Sequence, residues 1–440
     1  MKPLTHMDVA MQRLPFAGRR LVYAHTGDSW EEETATLPFP LRRLRRRYRA
    51  FADRFVRPLA LAGDLNPYGL DKDALFREYA RQGFAAEILP WPVGTMKLGV
   101  LPWWGLHLVL KVEELCAACG GIGLMLLAHD LGFAPLLISG SMRAFFDWTW
   151  PIYSKLRRGE KAVMAFAITE PMAGSDVEET EGALGAKVVT RVRRVPGGYL
   201  LNGRKVFISD GAVADYVTVF ACLENEGVES WTCFMVERGM KGFSLGRQEL
   251  KMGQKAGDAT ELVFEDVFLP EKHRIGPERA GWAINRNVLN TSRPAVGAIA
   301  LGIARGAVEN CLEFCRRTRL GPKRLFEFQE VRMELAEMSI QLAASRALIW
   351  DTQTRYFMRP KPSASCTAKV FCSDRAVEIC ARAMAIMGDH AYTHGQGVEK
   401  SLRDARLTQI YEGTNQINRL GIVEDLWERD PMPTAAGSAP

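Results

Sequence analysis

A β-rich block sits between two helical blocks in this chain, an uncommon order for 440 residues and the strongest constraint on its fold. Residues 162–277 contain "ADYVTVFACL", "SWTCFMVE" and "TELVFEDVFLP", short runs of β-branched and aromatic residues bounded by turn formers. "GGYLLNGRKVFIS" places Asn202-Gly203 between two such runs, which predicts a hairpin. Residues 41–161 instead space apolar side chains at three and four, as in "RRYRAFADRFVRPLA" and "KDALFREYARQGFAAEIL". Pro58 and Pro67 punctuate them. Helices return over 278–428. Val331, Leu335, Met338 and Leu342 form one apolar stripe; Val370, Val377, Cys380, Met384 and Met387 form another. "AVGAIALGIARGAV", after Pro294, is rich in small residues that let neighbouring backbones come close. Long helices in series predict a bundle. The class is α+β: an N-terminal helical domain, a central β domain and a C-terminal helical bundle. Residues 1–40 read as an irregular extension and 429–440 as a disordered tail.

Net charge is +6, too mild by itself to argue for nucleic acid. The densest basic run, "LRRLRRRYR" (41–49), reads as the solvated face of the first helix. The first residues, "MKPLTHMDVAMQRLPF", lack the apolar region of a signal peptide. The most apolar stretch, 101–140, is interrupted by Lys111, Glu113, Glu114, His129 and Asp130, so no uninterrupted piece is expected to reach the roughly 18 residues of a membrane span. Nine dispersed cysteines suggest a reducing compartment, and the expected location is cytoplasmic. Cys116 and Cys119 form a CxxC with no second pair and read as core. His390 and His394 lack a third ligand pattern, so no metal is expected.

Four stretches carry polar groups where chemistry is plausible. "AFAITEPMAGSDV" (165–177) offers Thr169, Gly174 and Ser175 around a proline turn, suited to a flat heterocycle and a phosphate. "KVFISDG" (205–211) ends a strand with Phe207 and Ser209, and "KMGQKAGDATELVFEDVFLP" (251–270) runs a glycine-rich loop into a strand. "QIYEGTNQINR" (409–419) sets Glu412 between Tyr411 and Gly413 and then interrupts a helix-friendly segment. An aromatic neighbour and burial would raise the carboxylate's pKa and strengthen it as a base. Gly413 would let the backbone come close to a substrate.

In their order these stretches resemble the acyl-CoA dehydrogenase family over residues 41–425, "TEPMAGSD" and "IYEGTNQI" being the most specific. The resemblance implies that the C-terminal domain is a four-helix bundle, with FAD between the β domain and the bundle, and association into a homotetramer or dimer. Phe166, Ile168, Thr169, Gly174, Ser175, Phe207, Ile208 and Ser209 would hold the flavin and its phosphates, Phe207 standing where many members have Trp. Arg317, Thr318 and Gln329 would reach a neighbouring subunit's FAD, and Gly388, Thr414, Asn415 and Gln416 would complete the site. Ser175, Asn290, Arg293, Tyr411 and Gly413 would border an acyl-CoA substrate. Glu412 would be the base that takes the proton next to the thioester carbonyl, its own N–H binding the thioester oxygen. The other position where members carry a base is Ser292 here, which cannot serve. Electrons would pass to an electron-transfer flavoprotein, with no nucleic-acid partner.

The chain departs from the family pattern at "AIMGD" (385–389), where Ala385 and Asp389 replace a Gln and a Gly near the adenosine phosphates. It departs also at Leu320, where Phe is usual, and in a longer 176–202 loop. Trp91, Trp103, Trp104, Trp148 and Trp150 would crowd a short, cyclic or aromatic acyl group or fill a core. The alternatives are an acyl-CoA oxidase, an enoyl-CoA reductase, and a non-enzymatic nucleic-acid-associated member of the family.

Overall fold

The computed structural model describes residues 28–178 and 180–428. The expectations for 1–27 and for the 429–440 tail lie outside the described residues. Residues 28–40 are not irregular. Helix α1 (Ser29–Thr36) is capped by Asp28, whose side chain accepts from the N–H groups of Trp30 and Glu31. Trp30 pins it: the indole Nε1 donates to Glu114 at 2.7 Å, and the ring lies 5.3 and 4.7 Å from the guanidinium carbons of Arg45 and Arg49. Helix α2 (Phe39–Phe51) then starts on Pro38.

Helix α3 (Lys72–Arg81) is capped by Asp71. Helices α4 (Trp104–Ala118) and α5 (Gly120–Ile138) are separated by an extended Cys119. This break changes the hydropathy picture. Lys111, Glu113 and Glu114 all fall in α4, so α5 keeps only His129 and Asp130 and reaches a mean hydropathy of 1.7, enough by length and composition for a span. Helix α6 (Gly281–Arg317) passes the same test, and both are mostly buried within the protein, as core helices are. All nine cysteines are buried, Cys116 and Cys119 among them.

With β5 (Thr232–Glu237), β6 (Phe243–Gln248) and β8 (Arg274–Ile275), the central sheet has the order β6–β7–β3–β2–β4–β5–β8, and β1 (Met164–Ala167) runs parallel to β4 (Tyr216–Leu223). The hairpin joins β2 (Arg191–Val195) to β3 (Gly198–Ser209), so it does not lie at Asn202-Gly203. That pair is a bulge inside β3, at a register shift against β7 (Ala259–Pro270). A Cβ on Gly203 would come within 2.6 Å of the Thr190 Cα, and φ there is +141°. Asn202 instead bonds Asp266 through side chain and backbone, both at 2.9 Å, which lets pairing resume on either side. The 176–202 loop is shortened by a 3-10 turn (Ser175–Glu178), a short helix (Thr180–Gly185) and β2.

The bundle consists of α6, α7 (Gln329–Tyr356), α8 (Pro362–Met387), α9 (Val398–Leu407) and α10 (Asn415–Val423). Leu335, Met338, Leu342, Val370, Cys380 and Met387 are buried along the expected stripes. The small residues of α6 bring helices together. A Cβ at Gly302 would lie 2.7 Å from the Glu113 carbonyl oxygen, and one at Gly306 would lie 2.4 Å from that of Ala117.

Arg43, Arg46 and Arg47 of "LRRLRRRYR" are exposed, as a solvated face requires, but Arg45 departs from that reading. It is fully buried, with Nε 2.7 Å from Glu114 and a terminal nitrogen 3.4 Å from Glu113. Arg305 of α6 reaches Glu114 at 2.8 Å and Glu113 at 3.1 Å; Arg346 of α7 reaches Glu113 at 2.8 Å and Glu33 at 2.7 Å. Burial works against ionisation of Glu113, but Arg346, Arg45 and Arg305 outweigh it and hold its carboxyl well below the usual range. This network fastens the N-terminal helices to the bundle. Removing one member leaves an uncompensated buried charge, so Arg45→Met is expected to destabilise the protein by about 3–5 kcal/mol. Urea unfolding monitored by tryptophan fluorescence checks this.

Candidate active site

Between α9 and α10 the chain makes a turn that no ordinary sequence would hold. Glu412 sits at φ +56° and Gly413 at φ +78°, both left-handed, and Thr414 then caps α10 by accepting from the Ile417 N–H at 3.3 Å. A non-glycine residue in that region is uncommon and persists where its surroundings fix it. Here both carbonyls are held. The Glu412 oxygen accepts from Arg293 Nε at 3.4 Å and Asn418 Nδ2 at 3.3 Å; the Gly413 oxygen accepts from Lys369 Nζ at 2.7 Å and Asn418 Nδ2 at 2.9 Å. The Thr414 N–H donates to Ser175 Oγ at 3.2 Å, joining the "TEPMAGSD" and "IYEGTNQI" stretches across 239 residues.

The Glu412 carboxylate accepts from Ser292 Oγ at 3.1 Å, so the two positions expected to carry a base in this family are in contact here. Burial pushes the Glu412 carboxyl up from its ordinary 4.5 to about 7. The neighbouring Glu178 adds to the rise, while Arg293, the Ser292 hydroxyl and Lys369 pull it down. Tyr411 is not among those causes. Its hydroxyl accepts from Gln254 Nε2 at 3.2 Å, and a second carboxylate adds to the expected effect of burial, which remains the largest cause. Glu178 is buried and 3.2 Å from Arg293. Gly413 makes room for it: a Cβ there would lie 2.3 Å from Glu178 Oε2. The glycine thus admits a protein carboxylate on its inner side, where closeness to a substrate was expected.

Asn290 and Arg293, expected to face a substrate, are each only 5% exposed. Arg293 also donates to Asn290 Oδ1 and Cys366 Sγ, both at 3.3 Å. Asn415 is likewise turned inward, bonded to Lys369, Ser373 and Asp374. Burial lowers the Lys369 ammonium to about 7. The turn therefore rests on a buried polar bed of Glu178, Arg293, Lys369, Asn290, Asn415 and Asn418. Among the described residues no oxygen accepts from the Glu412 N–H, which leaves it available to a ligand.

Comparison with known proteins places this arrangement. The acyl-CoA dehydrogenase N-terminal, middle and C-terminal domain models match residues 41–144, 165–267 and 279–426. A cyclohex-1-ene-1-carbonyl-CoA dehydrogenase from Geobacter metallireducens is 35% identical over 384 residues, 84% of this chain and 94% of that protein. The structure of butyryl-CoA dehydrogenase from Megasphaera elsdenii superposes with a TM-score of 0.80 at 28% identity, covering 88% of this chain and 98% of that one. The FAD complex of PigA superposes at 0.77 with 25% identity, covering 89% and 98%. The chain belongs to the acyl-CoA dehydrogenase family. As such it is an oxidoreductase, and the family is FAD-dependent.

The residues present fit a flavin of this family. Phe207 stands at φ +59° at the end of β3 with its ring 58% exposed, although Ile208 beside it is buried. The Val206 N–H donates to the Thr169 oxygen at 2.9 Å and ties the β3 end to the "TEPMAGSD" loop after buried Phe166 and Ile168. Half-buried Thr169, Ser175 and Ser209 line the same edge with hydroxyls, and the Gly174 N–H is fixed by Asp176 Oδ1 at 2.6 Å. An exposed ring beside half-buried hydroxyls suits a flat heterocycle. Arg317 is 73% exposed, 3.2 Å from Glu313, with Thr318 half-buried and Gln329 and Gln416 exposed. Among the described residues no hydrogen bond or ion pair links Arg317, Thr318, Gln329 or Gly388 to the Glu412 turn. Gly388 ends α8 at φ +60°, and the Asp389 side chain is 97% exposed, so solvent screens its charge. Trp104 and Trp148 pack inward, their indoles donating to the Ile88 and Lys272 oxygens at 2.9 and 3.1 Å; Trp91 is 65% and Trp150 42% exposed.

His394 does meet acids, 2.8 Å from Glu399 and 3.7 Å from Asp64, but the Arg403 guanidinium stands in that cluster, 2.6 Å from each acid.

Two consequences can be measured. The unfolded chain ionises Glu412 near pH 4.5, whereas the folded one does so near 7, so the contribution of Glu412 to stability falls across that window and is level above it. Glu412→Gln does not titrate, and its stability relative to wild type should rise over the same window by up to about 3 kcal/mol, read by urea unfolding at the two ends. Gly413→Ala meets both the Glu178 oxygen and a strained φ, and is expected to cost at least about 2 kcal/mol and most of the activity. A neutral Gly413→Ala in unfolding and rate measurements would contradict the tight seat described for Glu178.

Proposed function

We propose that the protein is an FAD-dependent acyl-CoA dehydrogenase in which Glu412 is the catalytic base. The observation that carries this reading is the Glu412 turn: a carboxylate of raised proton affinity, fixed by clamped carbonyls, beside its own free N–H. A base is most effective when its pKa lies near the working pH. The Glu412 carboxylate takes the proton from the carbon next to the thioester carbonyl and becomes a neutral acid. The Glu412 N–H donates to the thioester oxygen, where negative charge develops. Ser292 holds the carboxylate by one oxygen and leaves the other for the proton. Thr169, Ser175, Phe207, Ser209 and Thr414 hold the isoalloxazine end of FAD, and Arg317 the pyrophosphate of a neighbouring subunit. FAD, when bound, supplies the two-electron acceptor for the hydrogen leaving the β-carbon as hydride. Electrons pass on to an electron-transfer flavoprotein.

The relatives with cyclic acyl groups in their names make alicyclic acyl-CoA thioesters the first substrates to try. The working unit we propose is a cytoplasmic homotetramer. Met333, Ile340 and Leu320 are each more than 60% exposed on the bundle surface, an apolar face suited to a second copy.

The purified protein is expected to be yellow, with one FAD per chain, and to bleach anaerobically with a matching acyl-CoA. Glu412→Gln should keep FAD and lose bleaching by roughly 10²–10⁴-fold in stopped-flow measurements. Bleaching at a near wild-type rate would remove Glu412 from this role. The wild-type rate should rise with pH through about 7, because only the ionised carboxylate acts. Ser292→Ala should move that midpoint upward, since the lost hydroxyl donates to the charged form.

A further inference from the structure

We infer that Glu178 is a positioning residue for this reaction, a second carboxylate that seats the Glu412 turn and balances the arginine beneath it. The inference rests on Glu412 being the base.

Geometry shows that Glu178 is locked in place. Its Oε2 occupies the space a side chain on Gly413 would fill, 2.3 Å from that Cβ position. The same oxygen lies 3.2 Å from an Arg293 terminal nitrogen, and both side chains are under 10% exposed. The loop just before it is tied down as well: Ser175 Oγ accepts from the Thr414 N–H, and the Val177 oxygen accepts from Trp282 Nε1 at 3.1 Å.

Charge gives the second part. From α6, Glu412 faces Arg293 and the Ser292 hydroxyl. From α8 it faces Lys369, with Cys366 and Asp374 behind. From the 3-10 turn it faces Glu178, with Asp176 next to it. The inner set thus holds two cations and one anion besides the base. Without Glu178, Arg293 would act uncompensated. It would hold Glu412 ionised and make it a weaker base. Arg293 cannot be dispensed with, because it clamps the Glu412 carbonyl. A buried carboxylate beside Arg293 lets the clamp stay while its field at the base is cancelled. In agreement, Glu178 is the largest upward influence on Glu412 after burial itself.

A loop clamp alone would need only a hydrogen-bonding side chain, and Gln would serve. The charge role would not survive Gln. In the holoenzyme, Glu178→Gln should lower the pH midpoint of flavin reduction by about 1 unit or more, lower its limiting rate, and leave the acyl-CoA KM nearly unchanged. Glu178→Asp, with its charge drawn back by one methylene, should fall between wild type and Gln. An infrared titration of the Glu412 carboxyl, assigned by its loss in Glu412→Gln, should shift the same way with no turnover. A folded Glu178→Gln whose midpoint and infrared titration stay at the wild-type position overturns the inference. If Gln prevents folding, Asp decides by the same two readouts. Retained bleaching in Glu412→Gln would instead overturn the assignment of the base, while the infrared shift would still report on Glu178.

Discussion

Arg293 and Arg305 stand 12 residues apart on helix α6, about three turns, and both are buried. A buried guanidinium is tolerable only with its counter-charges in place. Within α6 Arg305 finds Glu309 at 3.0 Å, and the other counter-charges of both arginines come from outside the helix. Arg305 is met by Glu113 and Glu114 of α4, and Arg293 by Glu178 from the loop after β1. The central helix therefore cannot be seated until the N-terminal helices and the β domain have both docked on it. Close helix contact at Gly302 and Gly306 demands the same registry by sterics. The site is thus built by the assembly of domains, and no single domain contains it.

Glu412 inherits its properties from this assembly. Its turn is left-handed at two successive residues, and the cations that hold its carbonyls come from α6 and α8. Those cations would weaken the base if they stood alone. Burial and Glu178 act in the opposite direction and prevail, since the Glu412 carboxyl ends near 7. Clamping and basicity make opposing demands on local charge, and the buried acid reconciles them.

The order of domains was legible in the sequence because hydrophobic period changes from three-and-four to two and back, and period follows from burial on one face. The Glu412 turn was legible through its motif; its hydrogen bond to Ser175 was not. What escaped was set by contacts across domains. Arg45 lies on the stripe Leu41–Leu44–Tyr48, so its helical position pointed inward, yet nothing local names Glu113 and Glu114 as its partners. Lys369 similarly lies on the buried face of α8 with Cys366 and Ser373, a lone cation on an apolar stripe. Glu178 has no such signal, since "DVEETEG" looks like any acidic loop. Asn202-Gly203 has the composition of a tight turn, but the glycine is needed against Thr190 and the ladder runs on.

Glu412 is half-buried, and that intermediate exposure bears on the direction of proton movement. Water still reaches part of this residue. A ligand that covers this part removes the remaining water and raises the proton affinity further, because desolvation disfavours the charged form. The carboxylate is thus a stronger base with the site filled than with it open. When the ligand departs, water returns, the charged form regains its hydration, and the proton acquired during the reaction is released more readily. A fully buried glutamate would hold its proton, and a fully exposed one would remain too weak a base. The clamped turn keeps Glu412 between these limits, with the rigid bed of Arg293, Lys369 and Asn418 on one side and the ligand face on the other.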